Sequence, residues 1–182
     1  MFKNLEKIEK DDFESFFNLL EKSFPNIERR SKEGQKEIFD ETLYNVYGIK
    51  DENKKVIGFI ATWEFDKFNF IEHFAVDTSL RGKGMGTDLL KEYIHNSNKP
   101  IYLEVELPND DICIRRIDFY KRLGFNLNEF DYLQLPLQIG NELLPLKIMT
   151  HPYKVSNDEF IYFRKNVYDK VYKQSPCSDF KF

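Results

Sequence analysis

The sequence predicts a single α/β domain of the mixed, α+β kind. Its central sheet would have about six or seven strands flanked by helices, with an extra helix at the C-terminal end. Two observations carry this. Segments with helical spacing of apolar residues are interspersed with segments that alternate every second residue. In addition, three of the eight glycines, Gly82, Gly84 and Gly86, fall between a strand-like run, Phe70 to Val76, and a helix-like run, Asp88 to Ile94. At 182 residues the chain suits one domain, 1–182, with a sizeable core.

Taken in order, Asp11 to Phe24 reads as a helix capped by Asp11 or Asp12, with Phe13, Phe16, Phe17, Leu20 and Phe24 on one face. Ser31 to Glu41 is a more polar helix. Leu43 to Ile49 and Val56 to Phe65 flank Asp51-Glu52-Asn53-Lys54 and read as an antiparallel hairpin. Phe68 to Asp77 is the next strand, and the glycine loop then opens a helix whose apolar face is Met85, Leu89, Leu90, Tyr93 and Ile94. Asn96 to Pro100 breaks it. Ile101 to Leu107 is a strand with Tyr102, Glu104 and Glu106 on one face. Asp110-Asp111 starts a helix that Gly124 stops in a left-handed conformation. Tyr132 to Ile139 and Leu143 to Met149 form a final strand pair, and Asn157 to Lys173 a helix carrying Phe160, Phe163, Val167 and Val171.

Composition narrows the function. The 27 basic and 31 acidic residues are well mixed and sum to −4, which argues against a dedicated nucleic-acid surface. Aromatic content of 16% points to an aromatic-rich core. The opening Met1-Phe2-Lys3-Asn4-Leu5-Glu6 has no apolar signal segment, and no apolar run approaches a membrane span, so a cytoplasmic protein without membrane partners is expected. Cys113 and Cys177 offer neither a disulfide framework nor a metal pattern, so no metal is expected.

The loop Arg81-Gly82-Lys83-Gly84-Met85-Gly86-Thr87 carries the chemistry. Glycines let a backbone turn tightly and bring N–H groups against one ligand, and at a helix start those groups receive phosphate. A Walker A loop fails because Gly86 is followed directly by Thr87, and a dinucleotide fingerprint fails on glycine spacing. Arg/Gln-x-x-Gly-x-Gly/Ala fits at every position. Here the chain resembles the GNAT superfamily, the GCN5-related N-acetyltransferases. Ile71-Glu72-His73-Phe74-Ala75-Val76-Asp77 looks like that family's fourth strand, and Phe119-Tyr120-Lys121-Arg122-Leu123-Gly124-Phe125 like its FYxRLGF element. The matches span roughly 55–130, which leaves the helix at 157–173 as an addition.

The resemblance implies transfer of an acetyl group from acetyl-CoA to a primary amine, by direct attack in a ternary complex. Backbone amides of Gly82, Lys83, Gly84, Met85, Gly86 and Thr87, with the charges of Arg81 and Lys83, would hold the pyrophosphate. Backbone groups of Phe74, Ala75 and Val76 would pair with the pantetheine arm. Many relatives carry an asparagine seven residues before the helix tyrosine. Cys113 stands there in this chain, with Asn109 a nearby substitute. The acceptor, a small-molecule amine or a peptide or protein amine, carries no decodable motif, and a homodimer stays open because many relatives are dimers. A non-catalytic acyl-CoA-binding or regulatory protein is the alternative.

Tyr120 falls on the family tyrosine that donates to the departing thiolate, and a tyrosine is protonated at neutral pH. For the proton-accepting residue, Glu72 comes first and Glu104 second. A carboxylate in an apolar strand needs a cleft or a partner, and burial would raise its pKa and improve it as a base. Strand alternation puts Glu72 on a face with Phe74 and Val76, and His73 on the other with Ile71 and Ala75. The competing reading of Glu72, Glu104 and Glu106 is a solvated face or an ion pair with Arg115 or Arg116. His73 reads as a packed or hydrogen-bonded side chain. Cys113 has no histidine partner to make it a nucleophile.

Overall fold

A computed structural model describes residues 5–80, 82–138 and 140–173. Among these the architecture is mixed α/β, with eight strands and five α-helices. The surplus over the expected strands comes from pieces only two or three residues long. The chain divides into two compact units, Met1–Ile101 and Tyr102–Phe182.

In the first unit the strands β1 (Glu6–Lys7), β2 (Tyr44–Lys50), β3 (Val56–Glu64) and β4 (Asn69–Val76) lie in that order, each antiparallel to the next. One sheet face is covered by α1 (Phe13–Ser23) and α2 (Lys32–Ile38), the other by α3 (Met85–Asn96). Alternation along β3 sorts the contacts. Phe59 meets Phe16 of α1 edge-on at 4.8 Å, whereas the Thr62 hydroxyl is 2.9 Å from that of Tyr93 on α3. α1 packs through its apolar face: Phe13, Phe16, Phe17, Leu19 and Leu20 are buried, and Asp12, at the N-cap where Asp11 or Asp12 was expected, makes no side-chain cap hydrogen bond. Ser31 does cap α2, accepting from the Gly34 N–H. β4 departs from a regular strand. Ala61 pairs with His73 and Thr62 with Ile71, so Glu72 is the extra residue of a β-bulge.

In the second unit β5 (Ile101–Glu106), β8 (Leu144–His151) and β6 (Asn126–Leu127) are neighbours in that order, and β7 (Tyr132–Gln134) also pairs with β8. α4 (Asp111–Arg122) is capped by Asp110, which accepts from the N–H groups of Ile112 and Cys113, and Gly124 ends it at φ 87° as expected. α5 (Asn157–Lys170) starts in a reciprocal capping box between Ser156 and Glu159. Its aromatics stack within the unit: Phe163 on Tyr102 of β5 at 4.6 Å and Phe160 on Phe130, between β6 and β7, at 4.2 Å. The strand expected from Tyr132 to Ile139 stops at Gln134, because Pro136 has no N–H to continue a ladder. Ile139 itself lies outside the described residues.

Candidate active site

The glycine loop has two distinct requirements. Gly82 and Gly84 adopt φ of 76° and 82°, and a Cβ added to either would meet nothing within 4 Å. Backbone conformation, not crowding, therefore calls for glycine there. Gly86 is the reverse case. Its added Cβ would sit 3.4 Å from Phe74 Cζ and 3.6 Å from Val76 Cγ2, so the first turn of α3 lies close on β4. Gly84 is the N-cap of α3 and supplies no side-chain acceptor, while Met85 anchors the helix start in the core. An α-helix leaves its first N–H groups without intrahelical partners, so those of Met85, Gly86 and Thr87 are available to an anion. Lys83 is exposed beside them; Arg81 lies outside the described residues.

Glu72 departs from its expected environment. The bulge turns Glu72 and His73 to the same side, toward the connector between α1 and α2. Phe74 and Val76 instead face α3, so the expected shared face of Glu72, Phe74 and Val76 is not formed. The Glu72 side chain is 1% exposed, and Arg30 Nη1 donates to its Oε1 at 2.7 Å. Arg30 also lies over the Trp63 ring, 5.8 Å from its centroid. Burial pushes the Glu72 carboxyl up. The Arg30 guanidinium, followed by the hydrogen bond and charge of His73, outweighs this and brings it to about 2. The expected rise is thus overturned, because a buried carboxylate took a cation of its own. His73 is packed and hydrogen-bonded as expected. Its ring meets Phe24 edge-on at 4.6 Å, and Nε2 is 2.8 Å from the Glu28 carbonyl oxygen.

In the second unit, Tyr120 is 8% exposed on α4, packed against Phe119 and Phe125. Among the described residues its hydroxyl has no hydrogen-bond partner. Burial raises it to about 12; Arg116 acts against this and Glu106 with it. It is a proton donor at neutral pH. Glu104 is engaged from the C-terminal side: the Tyr172 hydroxyl is 2.9 and 3.1 Å from its two oxygens. Glu106 pairs with Arg116, as the ion-pair reading allowed. Cys113 is half-buried at the start of α4. Desolvation, then the Asp110 carboxylate that bonds it, raises its thiol, which makes it a poor nucleophile. Asn109 is exposed in the preceding loop. Sequence reasoning missed Arg30 and Tyr172. The available signal was a carboxylate in an apolar strand, which requires a partner without naming one.

A glycine turn leads from a strand into a helix whose start has no side-chain cap, a geometry suited to an anion, here on a mixed α/β fold. A sequence profile of the acetyltransferase (GNAT) family matches residues 12–125, and the chain belongs to that family of enzymes. A GNAT-family protein from Bacteroides thetaiotaomicron, described as an acetyltransferase, is 33% identical over 95% of this chain and 100% of its own, with a TM-score of 0.87. Two further structures share the fold. The ribosomal-protein-S18-alanine N-acetyltransferase of Escherichia coli is 19% identical, covering 85% of this chain and 96% of its own at a TM-score of 0.62. A variant of the Vibrio cholerae spermidine N-acetyltransferase is 18% identical, covering 81% and 94% at a TM-score of 0.62. No curated protein sequence matches the chain. No helix among the described residues is long and apolar enough to cross a membrane.

Proposed function

We propose that the protein moves an acetyl group from acetyl-CoA to a primary amine by direct attack within a ternary complex. The observation that carries this reading is the open, uncapped start of α3 behind Gly82 and Gly84 in a chain of this family. Its free N–H groups suit the pyrophosphate of coenzyme A, with Lys83 adding charge. Backbone groups of Phe74, Ala75 and Val76 take the pantetheine arm, and Cys113 or Asn109 stands near it. Tyr120 protonates the departing thiolate, for which its unpartnered, fully protonated hydroxyl is suited. The proton shed by the amine leaves toward Glu72. Its Oε2 lacks a hydrogen-bond partner, whereas Tyr172 engages both oxygens of Glu104, which ranks second. The acceptor is a small amine or the amine of a peptide or protein.

One observation favours the alternative, an acyl-CoA-binding protein without turnover: the Arg30 pair makes Glu72 a weak base. Thiol release from acetyl-CoA, followed over a panel of an amino acid, a polyamine, an aminoglycoside and a peptide, separates the two. Release that depends on one amine class, and drops at least tenfold in Tyr120→Phe, supports the transferase. Tight acetyl-CoA binding without release for any amine supports the alternative; absence of binding defeats both.

A further inference from the structure

Tyr120 sits in the last turn of α4, and the way that helix ends governs where the side chain points. The Phe125 N–H donates to the Tyr120 carbonyl at 3.1 Å, and the Gly124 N–H to that of Lys121 at 3.0 Å. These two bonds, with Gly124 left-handed at φ 87°, make a Schellman motif, whose first and last residues share an apolar contact. The contact is Phe125 edge-on to Tyr120, ring centroids 5.6 Å apart. One residue on, the chain enters β6, where Asn126 pairs with Thr150 of β8, so His151 falls opposite Phe125. The His151 ring lies 5.4 Å from that of Phe125, and a Cβ on Gly124 would sit 3.2 Å from its Cδ2. The Asn126 amide clasps the arrangement, donating to the Pro152 carbonyl at 2.9 Å and to the Gly124 carbonyl at 3.3 Å. Among the described residues the His151 ring makes no hydrogen bond. Burial lowers its pKa, so at neutral pH it is an uncharged ring held by packing.

We propose that His151 is a positioning residue for Tyr120: acting through Phe125, it fixes the direction in which the Tyr120 hydroxyl points. This rests on the acetyl-transfer reading above, in which that hydroxyl gives its proton to the departing thiolate. The Tyr120 ring is covered by Phe119 and Phe125, yet among the described residues no hydrogen bond holds its hydroxyl. Packing of the ring therefore sets where the O–H points. Phe119 belongs to the same helix and moves with it. The wall that comes from beyond the helix is Phe125, and His151, at the end of β8, backs Phe125 in turn. A proton donor tolerates little displacement, since a misplacement of about 1 Å can cost roughly 10²-fold in rate. Removing a ring two contacts away loosens the hydroxyl less than that.

The test is a cycle of variants read by thiol release from acetyl-CoA with the amine that wild type accepts. We expect His151→Ala to lower kcat about tenfold with the KM for acetyl-CoA unchanged. His151→Phe, which restores a ring, should recover most of the rate. In the Tyr120→Phe background, where there is no hydroxyl to aim, His151→Ala should lower kcat no further. A kcat within about twofold of wild type in His151→Ala, an equal loss in both backgrounds, or no recovery in His151→Phe overturns the proposal. Should His151→Ala not fold, Phe125→Leu takes its place against Tyr120→Phe with the same outcomes. A second arm needs no turnover: carbon NMR of protein labelled on its tyrosine rings, with Tyr120 assigned through Tyr120→Phe. Its signal should move or broaden in His151→Ala and hold in His151→Phe; an unmoved signal in His151→Ala overturns the positioning. If wild type acetylates no amine while the signal responds as expected, the acetyl-transfer reading has failed and the positioning of Tyr120 by His151 has not.

Discussion

Replacing Arg30 with methionine removes the guanidinium while leaving an aliphatic chain over Trp63, and so isolates the charge on Glu72. Removing one partner of a buried pair costs about 3–5 kcal/mol, because the survivor is left as an uncompensated charge. For a chain of this size that corresponds to a fall of roughly 6–20 °C in melting temperature. The sign of the pH dependence follows from the carboxyl. In wild type it is depressed from 4.5 to about 2, so its contribution is fully present above 4.5 and is lost as pH falls through about 2. By the same linkage it supplies up to roughly 3 kcal/mol at neutral pH. Without Arg30, burial is the largest influence left and pushes the carboxyl up. The protonated form then suits the folded state, and the penalty grows as pH rises through the new value. The deficit of Arg30→Met should accordingly be largest at neutral pH and smaller at about pH 5. Thermal unfolding followed by circular dichroism at the two pH values measures this. Adding Glu72→Leu should restore most of the loss, since an apolar replacement of a whole pair is often neutral. A loss under about 1 kcal/mol at neutral pH, or the same loss at both, would refute the reasoning.

Three further outcomes are expected. Gly84→Ala forces a Cβ onto a backbone at φ 82°, at about 1–2 kcal/mol of strain with no steric contact, so calorimetry should find weaker acetyl-CoA binding while the fold persists. Tyr172→Phe removes the donor to Glu104 and should cost about 1.5–3 kcal/mol in denaturant unfolding with kcat unchanged; a large fall in kcat would instead promote Glu104 to the base. Tyr120, raised to about 12, stays protonated over the usual assay range, so the rate should show no loss from its ionisation up to about pH 10.

The elements whose signals are local were legible. Gly124 after α4 and the Phe13–Phe16–Phe17–Leu20 stripe each act within a few residues, and each element formed where its signal stood. The glycine loop was legible for the same reason, since its φ requirement and its place before a helix are written in consecutive residues. The strand expected from Tyr132 to Ile139 runs across Pro136, and the proline ends the ladder by having nothing to donate.

The surroundings of Glu72 were not legible, for a different physical reason. Arg30 is 42 residues away from it, in a connector where the neighbouring Arg29 is also largely covered and pairs with Glu21. Only the folded connector decides which arginine meets Glu72. The bulge compounds this. Strict alternation would send Glu72 and His73 to opposite faces, and one extra residue against the Ala61–Thr62 step cancels that rule locally and shifts the pairing with β3 by one residue. The apolar pattern of the strand is the same with or without it, so composition cannot report it. What the sequence did contain was a demand, a carboxylate and a histidine side by side in an apolar strand. A regular strand would have had to satisfy them separately on two faces. The bulge lets one arginine and one backbone carbonyl of the same connector satisfy both.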